Sequence, residues 1–253
     1  MRFVRCRIGG TNRYGVIEGE RVHLLAGEPY AAIERSGETA ALSEVELLAP
    51  CEPSKIVAVG INYAAHAPEF GLAVPGEPLL FLKPPSAVIG PGAAIMLPPM
   101  SQQVEYEGEL AVVVGRRTKA VDEDEALAAV FGYTCINDVT ARDLQKRDVQ
   151  FTRAKGFDTF APLGPWIETD LDPADLGLAT TVNGVRRQEA RTSLMVRAVP
   201  ALVSFISQVM TLNPGDVIAT GTPAGVGPLA PGDTVTVTIE GIGTLANRVA
   251  AHG

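Results

Sequence analysis

The segment Val104-Glu-Tyr-Glu-Gly-Glu-Leu-Ala-Val-Val-Val-Gly115 constrains this chain more than any other. Glutamates stand at 105, 107 and 109, and the two-residue period of a β-strand points all three to one face. The apolar continuation, residues 110–114, has the composition of a buried strand. Carboxylates side by side at the start of a buried strand repel one another and lose hydration, which is costly unless a cation neutralises them. A solvated strand end with unpaired glutamates is the competing reading of this segment alone.

A further carboxylate follows in Gly132-Tyr-Thr-Cys-Ile-Asn-Asp-Val-Thr-Ala-Arg-Asp-Leu-Gln145, where Asp138 ends a predicted strand and precedes a predicted helix. Such a position can complete a site made only of oxygen ligands. Hard oxygens without His or Cys favour Mg²⁺ or Mn²⁺, with Ca²⁺ as a third candidate, over zinc or copper. Three protein ligands leave positions open for water and substrate. Alternatively, Asn137-Asp138 caps a helix starting at Thr140.

The rest of the chain reads as many short strands and few helices. Strand-like runs cover 55–60, 78–82, 105–114, 131–137, 180–182, 216–219 and 234–239, and helical patterns cover 40–48, 123–130, 141–148 and 199–209. With 26 glycines and 19 prolines among 253 residues, this pattern predicts a β-rich α+β fold, a mixed roll or barrel with peripheral helices, rather than a doubly wound sheet. Residues 1–50 read as a small N-terminal β domain, with a hairpin at Glu18-Gly19-Glu20, and residues 51–253 as the large domain. Pro50 and Pro53 mark the boundary.

Composition removes several functions. Three cysteines, Cys6, Cys51 and Cys135, form no CxxC pair, so neither a disulfide framework nor a zinc site is indicated and a cytoplasmic setting fits. A net charge of -8 with scattered arginines carries no footprint for nucleic acid. The longest apolar runs are far shorter than the roughly 20 residues of a membrane helix, so no membrane partner is expected.

The ordered motifs VG-x-NYxxHxxE, LKPPSAVIGP, EYEGELAVVVG, GYTxxNDVTARDLQ, KGFDTFxPLGP, LNPGDVIATGTPAGVG and PGDTVTVTIEGIGTLxN closely resemble the fumarylacetoacetate hydrolase family. The match runs from about Lys55 to Asn247, and the first fifty residues resemble the small domain of bacterial members. The resemblance implies a β-rich roll, a homodimer, and Mg²⁺ or Mn²⁺ held by Glu107, Glu109 and Asp138. Glu105, where relatives often carry Asp, stays outside that ligand set. The family's His-x-x-Glu dyad falls on His66 and Glu69, in a segment that orders over the ligand in relatives. Spacing i to i+3 on one helical turn lets Glu69 orient His66 as a base; His23 and His252 lie in the small domain and at the tail.

By the same resemblance, Lys155 joins the catalytic set, and Arg142 and Gln145 meet the substrate or a developing oxyanion. Their chemistry suits it: two cations and an amide near a bound anion. A salt bridge from Arg142 to Asp143 or Asp138 competes with that role. Thr222 matches a residue that holds a substrate carboxylate through its hydroxyl and adjacent amides, with glycines 221, 225 and 227 permitting close approach. Lys83 could face cavity or solvent.

The reaction implied first is hydrolysis of a C–C bond in small 2,4-dioxo acids, of the acylpyruvate or fumarylpyruvate type, through a metal-stabilised enolate. A 2-hydroxyhepta-2,4-diene-1,7-dioate isomerase or an oxaloacetate-type decarboxylase would use the same residues, and fold-level similarity does not choose among them. A non-catalytic binder of small molecules with a structural metal is the alternative from another class.

Overall fold

The computed structural model describes residues 1–71 and 73–251, together with the side chains of all of these except Phe70. His252 lies outside the described residues. The architecture is the β-rich α+β roll expected, with open sheets rather than a closed barrel. A 12-stranded sheet runs from Arg35–Ala41 at one edge, through Arg21–Leu25, Thr11–Glu18, Arg2–Ile8, Ala161–Glu168, Val130–Asn137, Gly108–Val114, Val217–Ala219 and Ile56–Gly60, to Leu79–Lys83 at the other. A 5-stranded sheet packs against it, and a small 3-stranded sheet, Thr140–Ala141 with Val104–Tyr106 and Gly227–Pro228, shares a core with the 5-stranded one.

Gly108–Val114 is buried at every residue, and its alternation serves two cores. Leu110, Val112 and Val114 pack with Val57, Val59, Leu178, Val237 and the apolar face of the helix Val199–Val209. Ala111 and Val113 point the other way, toward Ile56, Ala58, Val217 and Leu163. Polar residues at its mouth are therefore held on a rigid frame.

The expected strand over 105–114 is in fact two strands. Val104–Tyr106 joins the small sheet and Gly108–Val114 the large one, with the break at Glu107. The Asn137 Oδ1 accepts the Glu107 amide at 2.9 Å, and the Asp138 amide donates to the Glu107 carbonyl at 2.8 Å. Both backbone groups lost from the ladder are thus satisfied, as burial demands.

A helix over 40–48 does not form. Arg35–Ala41 pairs antiparallel with Arg21–Leu25, a single 3₁₀ turn follows at Leu42–Glu44, and Glu46–Leu47 pairs with Arg2–Ile8. Pairing satisfies sheet edges that a helix would leave open, and this tertiary demand overrides local propensity. The 123–130 pattern forms a 3₁₀ helix, Glu123–Ala129; 141–148 shortens to the α-helix Arg142–Arg147; and Val199–Val209 is helical as expected. The N-terminal strands extend the main sheet directly, since Arg2 pairs with Glu168 and Phe3 with Ile167. No helix among the described residues is long and apolar enough to cross a membrane, and Cys6, Cys51 and Cys135 are free and buried.

Candidate metal centre and active site

The strand break and the end of Val130–Asn137 bring Glu107, Glu109 and Asp138 together, with one carboxylate oxygen from each within 4.8 Å of the others. All three are at most 4% exposed. They line a cavity of about 640 Å³, together with Glu105, Arg142, Gln145, Lys155, His66, Glu69 and Thr222. The nine residues singled out in the sequence thus converge on one place. Asp138 does not cap the helix: Arg142–Arg147 has Ala141 at its N-cap, with no side-chain bond.

Cations hold most of this charge. Lys155 Nζ lies 2.7 Å from Glu107 Oε2 and 2.6 Å from Asp138 Oδ2, and stands 4.8 Å from the Phe81 ring centre. Lys155 ends the short helix Thr152–Lys155. Arg142 donates through Nε to Glu105 Oε2 at 2.7 Å and also bonds Glu107 and Gln145. The competing salt bridge for Arg142 therefore exists, with Glu105 and Glu107 as its partners, while Asp143 accepts from Ser101 and Gln102. Glu105, which also accepts from Gln103 at 2.6 Å, is the counter-charge that orients Arg142.

Lys83 is a site residue that the sequence left unassigned. It is fully buried at the end of Leu79–Lys83, 2.6 Å from Asp138 Oδ1, and donates to the carbonyls of Val139 and Lys155. Strand alternation carried the signal: Lys83 shares a face with Leu79 and Phe81, which line the cavity. Burial pulls its ammonium below the ordinary lysine range despite Asp138. For Lys155 burial acts the same way, but Asp138 and Glu107 together outweigh it and raise the group.

Four carboxylates, Glu105, Glu107, Glu109 and Asp138, thus face three cations, Lys83, Arg142 and Lys155. Burial would raise Glu107, yet Lys155 and Arg142 hold it well below the usual carboxylate range. Glu109 goes the other way. Burial pushes it well above that range, and Asp138 and Glu107 push it further. Its Oε2 accepts the Gly221 amide at 2.8 Å. The Asp138 Oδ1 has the Lys83 ammonium near it, but without hydrogen-bond geometry. A buried triad of hard oxygens, one member pushed upward by burial and by its carboxylate neighbours, fits a divalent cation.

The dyad closes the same cavity. His66 Nδ1 and Glu69 Oε2 are 2.7 Å apart across the 3₁₀ turn Ala67–Phe70, and Glu69 Oε1 accepts the Gly225 amide at 2.8 Å. Gly225 adopts φ 102°, and a Cβ there would lie 2.2 Å from the Arg187 carbonyl; Gly221, at φ 100°, has the Asn62 Cβ at 2.7 Å from the same position. Only glycine fits either place. Asn62 clamps this corner by donating to the Arg197 and Thr220 carbonyls and accepting the Arg197 amide. The Thr222 hydroxyl donates to the Gly108 carbonyl at 2.9 Å and accepts from Gln188 Nε2 at 2.8 Å, so its proton attaches the loop to the glutamate strand. Asn62 and Gln188 were not anticipated. Gln188 sits in a polar stretch, Arg-Arg-Gln-Glu-Ala-Arg, that nothing in periodicity distinguishes.

Fold and site together define a β-rich α+β protein with a buried carboxylate triad, balanced by cations and roofed by a His–Glu pair. The chain belongs to the fumarylacetoacetate hydrolase family: residues 55–250 match the model described as fumarylacetoacetate (FAA) hydrolase C-terminal, and residues 1–50 match the one described as Rv2993c-like, N-terminal. It is 54% identical over 232 residues to Protein Rv2993c of Mycobacterium tuberculosis, covering 90% of this chain and 88% of that one. It is 45% identical over 220 residues to the mitochondrial oxaloacetate tautomerase FAHD2B of Bos taurus, covering 82% and 70%. Among solved structures, the 2-hydroxyhepta-2,4-diene-1,7-dioate isomerase of Mycobacterium marinum is 50% identical, with a TM-score of 0.94 over 100% of this chain and 99% of that one.

Proposed function

We propose that this protein is a divalent-metal-dependent enzyme that shifts a proton in small 2-oxo acids and their enols, as an isomerase or tautomerase. The observation that carries the reading is the buried triad Glu107, Glu109 and Asp138, one carboxylate oxygen of each within 4.8 Å of the others, in one cavity with the His66–Glu69 pair. Support also comes from the names of the isomerase and tautomerase relatives, at 50% and 45% identity.

Glu107, Glu109 and Asp138 would hold Mg²⁺ or Mn²⁺, which supplies a Lewis acid that lowers the cost of enolate charge. Lys155 and Arg142 keep Glu107 ionised, so that it is available as a ligand. Gln145, Lys146 and Thr222 also line the cavity, and the positive charge of Lys146 suits a small anion bearing carboxylates. His66, oriented by Glu69, takes the C3 proton of a 2-oxo acid and returns a proton to oxygen or to a distal carbon. Nothing is lost or gained overall, and the His66 imidazole ends as it began.

Hydrolysis of the C3–C4 bond of a 2,4-dioxo acid is a second reading, which the same dyad favours because a paired imidazole can also deprotonate water for attack at C4. A small 2-oxo acid is the partner in either case, and the family resemblance adds a homodimer, which light scattering would test.

The deciding experiment incubates purified protein with Mg²⁺ or Mn²⁺ and acetylpyruvate, fumarylpyruvate, oxaloacetate or a 2-hydroxy-dienedioate in D₂O, with products followed by NMR. Deuterium entering C3, or the distal carbon, without bond cleavage is expected. Pyruvate release from the dioxo acids would favour hydrolysis, and no change above the metal-only rate would overturn both.

A further inference from the structure

Gln188 lies in the strand Val185–Arg191 at 1% exposure, between the exposed Arg187 and Glu189. Its Oε1 accepts the Gly108 amide at 3.0 Å, and its Nε2 donates to the Thr222 hydroxyl and the Pro223 carbonyl, each at 2.8 Å. The Thr222 hydroxyl in turn donates to the Gly108 carbonyl at 2.9 Å, closing a ring of hydrogen bonds. Gly108 is the residue between Glu107 and Glu109. It must be glycine, since a Cβ there would lie 2.0 Å from Thr180 Oγ1.

The other side of the ring leads to the dyad. Beyond Pro223 the loop reaches Gly225, whose amide holds Glu69 Oε1, and Glu69 Oε2 holds His66 Nδ1. One amide side chain therefore connects Gly108, which stands between two of the triad carboxylates, to the loop that anchors the base. Losing it would leave a buried N–H on Gly108 and a buried carbonyl on Pro223 without their partner.

We propose that Gln188 is a positioning residue that fixes the Glu107/Glu109 pair and the His66–Glu69 dyad in one frame. The proposal rests on the reading above, in which the triad holds a divalent ion. It acts through two separable arms: Oε1 sets the strand and Nε2 sets the loop. Side chains that orient metal ligands from behind change affinity by about 10- to 100-fold when removed.

Two variants of the full chain test it, Gln188→Met, which cuts both arms at similar volume, and Gln188→Glu, which keeps the acceptor for Gly108 but removes the donors to the loop. Mn²⁺ titration should show about tenfold weaker binding for Gln188→Met and a change within about threefold for Gln188→Glu. Amide hydrogen exchange should accelerate over 222–226 in both, while the helix Val199–Val209 keeps its wild-type rate, which general destabilisation would not allow. Mn²⁺ affinity of Gln188→Met within twofold of wild type, or unchanged exchange at 222–226, would overturn the proposal. Failure of the wild type itself to bind Mn²⁺ would instead refute the metal reading, and loop exchange alone then decides the role of Gln188. If Gln188→Met does not fold, exchange in Gln188→Glu decides.

Discussion

The Asp138 amide donates to the Glu107 carbonyl at 2.8 Å. This bond, with the Asn137 side chain on the Glu107 amide, fixes two remote carboxylates at a break between strands. Replacing Asn137 by Ala leaves the buried Glu107 N–H without its acceptor. We expect a loss of about 1–3 kcal/mol in urea unfolding and weaker Mn²⁺ binding, measured on the same preparation.

Opposite signs distinguish Glu109 from Lys155. Without metal, Glu109→Gln replaces a carboxyl already driven toward its neutral form, so stability should stay level or rise. Lys155→Met strips Glu107 and Asp138 of a shared counter-charge, and should cost about 3–5 kcal/mol. Adding Mn²⁺ at about 100 times its Kd should stabilise the wild type by about 2.7 kcal/mol and leave Glu109→Gln unchanged. Thermal melting with and without Mn²⁺ reads all four cases.

Metal affinity should depend on pH in a set direction. Glu109 titrates above the ordinary carboxylate range, so a cation entering below that point must displace its proton. Affinity therefore rises with pH, by up to about tenfold per unit, and levels off once Glu109 ionises unaided. Calorimetry in buffers of different ionisation enthalpy should find close to one proton released per Mn²⁺ on the acid side. In Glu107, whose carboxyl stands well below its usual range, the same titration has no part near neutrality.

His66→Ala should keep Mn²⁺ affinity and lose turnover, because His66 belongs to the dyad rather than the triad. Gly225→Ala should resemble it in part. The new Cβ meets the Arg187 carbonyl, the backbone leaves φ 102°, and the amide that holds Glu69 moves with it. Steady-state rates beside Mn²⁺ titrations separate the two effects.

How far these features could be read from sequence depends on what each residue must satisfy. The apolar run after Glu109 and the helix Val199–Val209 were legible because a single local period decides them. The break at Glu107 was not, since period two also describes an unbroken strand, and only the bond from Asn137 shows where pairing changes sheet. The supposed helix over 40–48 yielded to strands remote in sequence that needed a partner. Within the site, motif resemblance located the triad, the dyad and the four polar residues near them, Arg142, Gln145, Lys155 and Thr222. For Arg142 the sequence offered Asp143 or Asp138 as salt-bridge partners, and the structure pairs it with Glu105 and Glu107 instead. Gln188 was invisible because its function lies in three backbone and hydroxyl groups that only the fold assembles.

The most direct test of the central claim is calorimetric binding of oxalate, which mimics a 2-oxo acid enolate, to wild type and Glu109→Gln with and without Mn²⁺. The account predicts oxalate binding to the wild type only when Mn²⁺ is present, and none to Glu109→Gln in either condition. Equal oxalate affinity with and without Mn²⁺, or full Mn²⁺-dependent binding by Glu109→Gln, would contradict it.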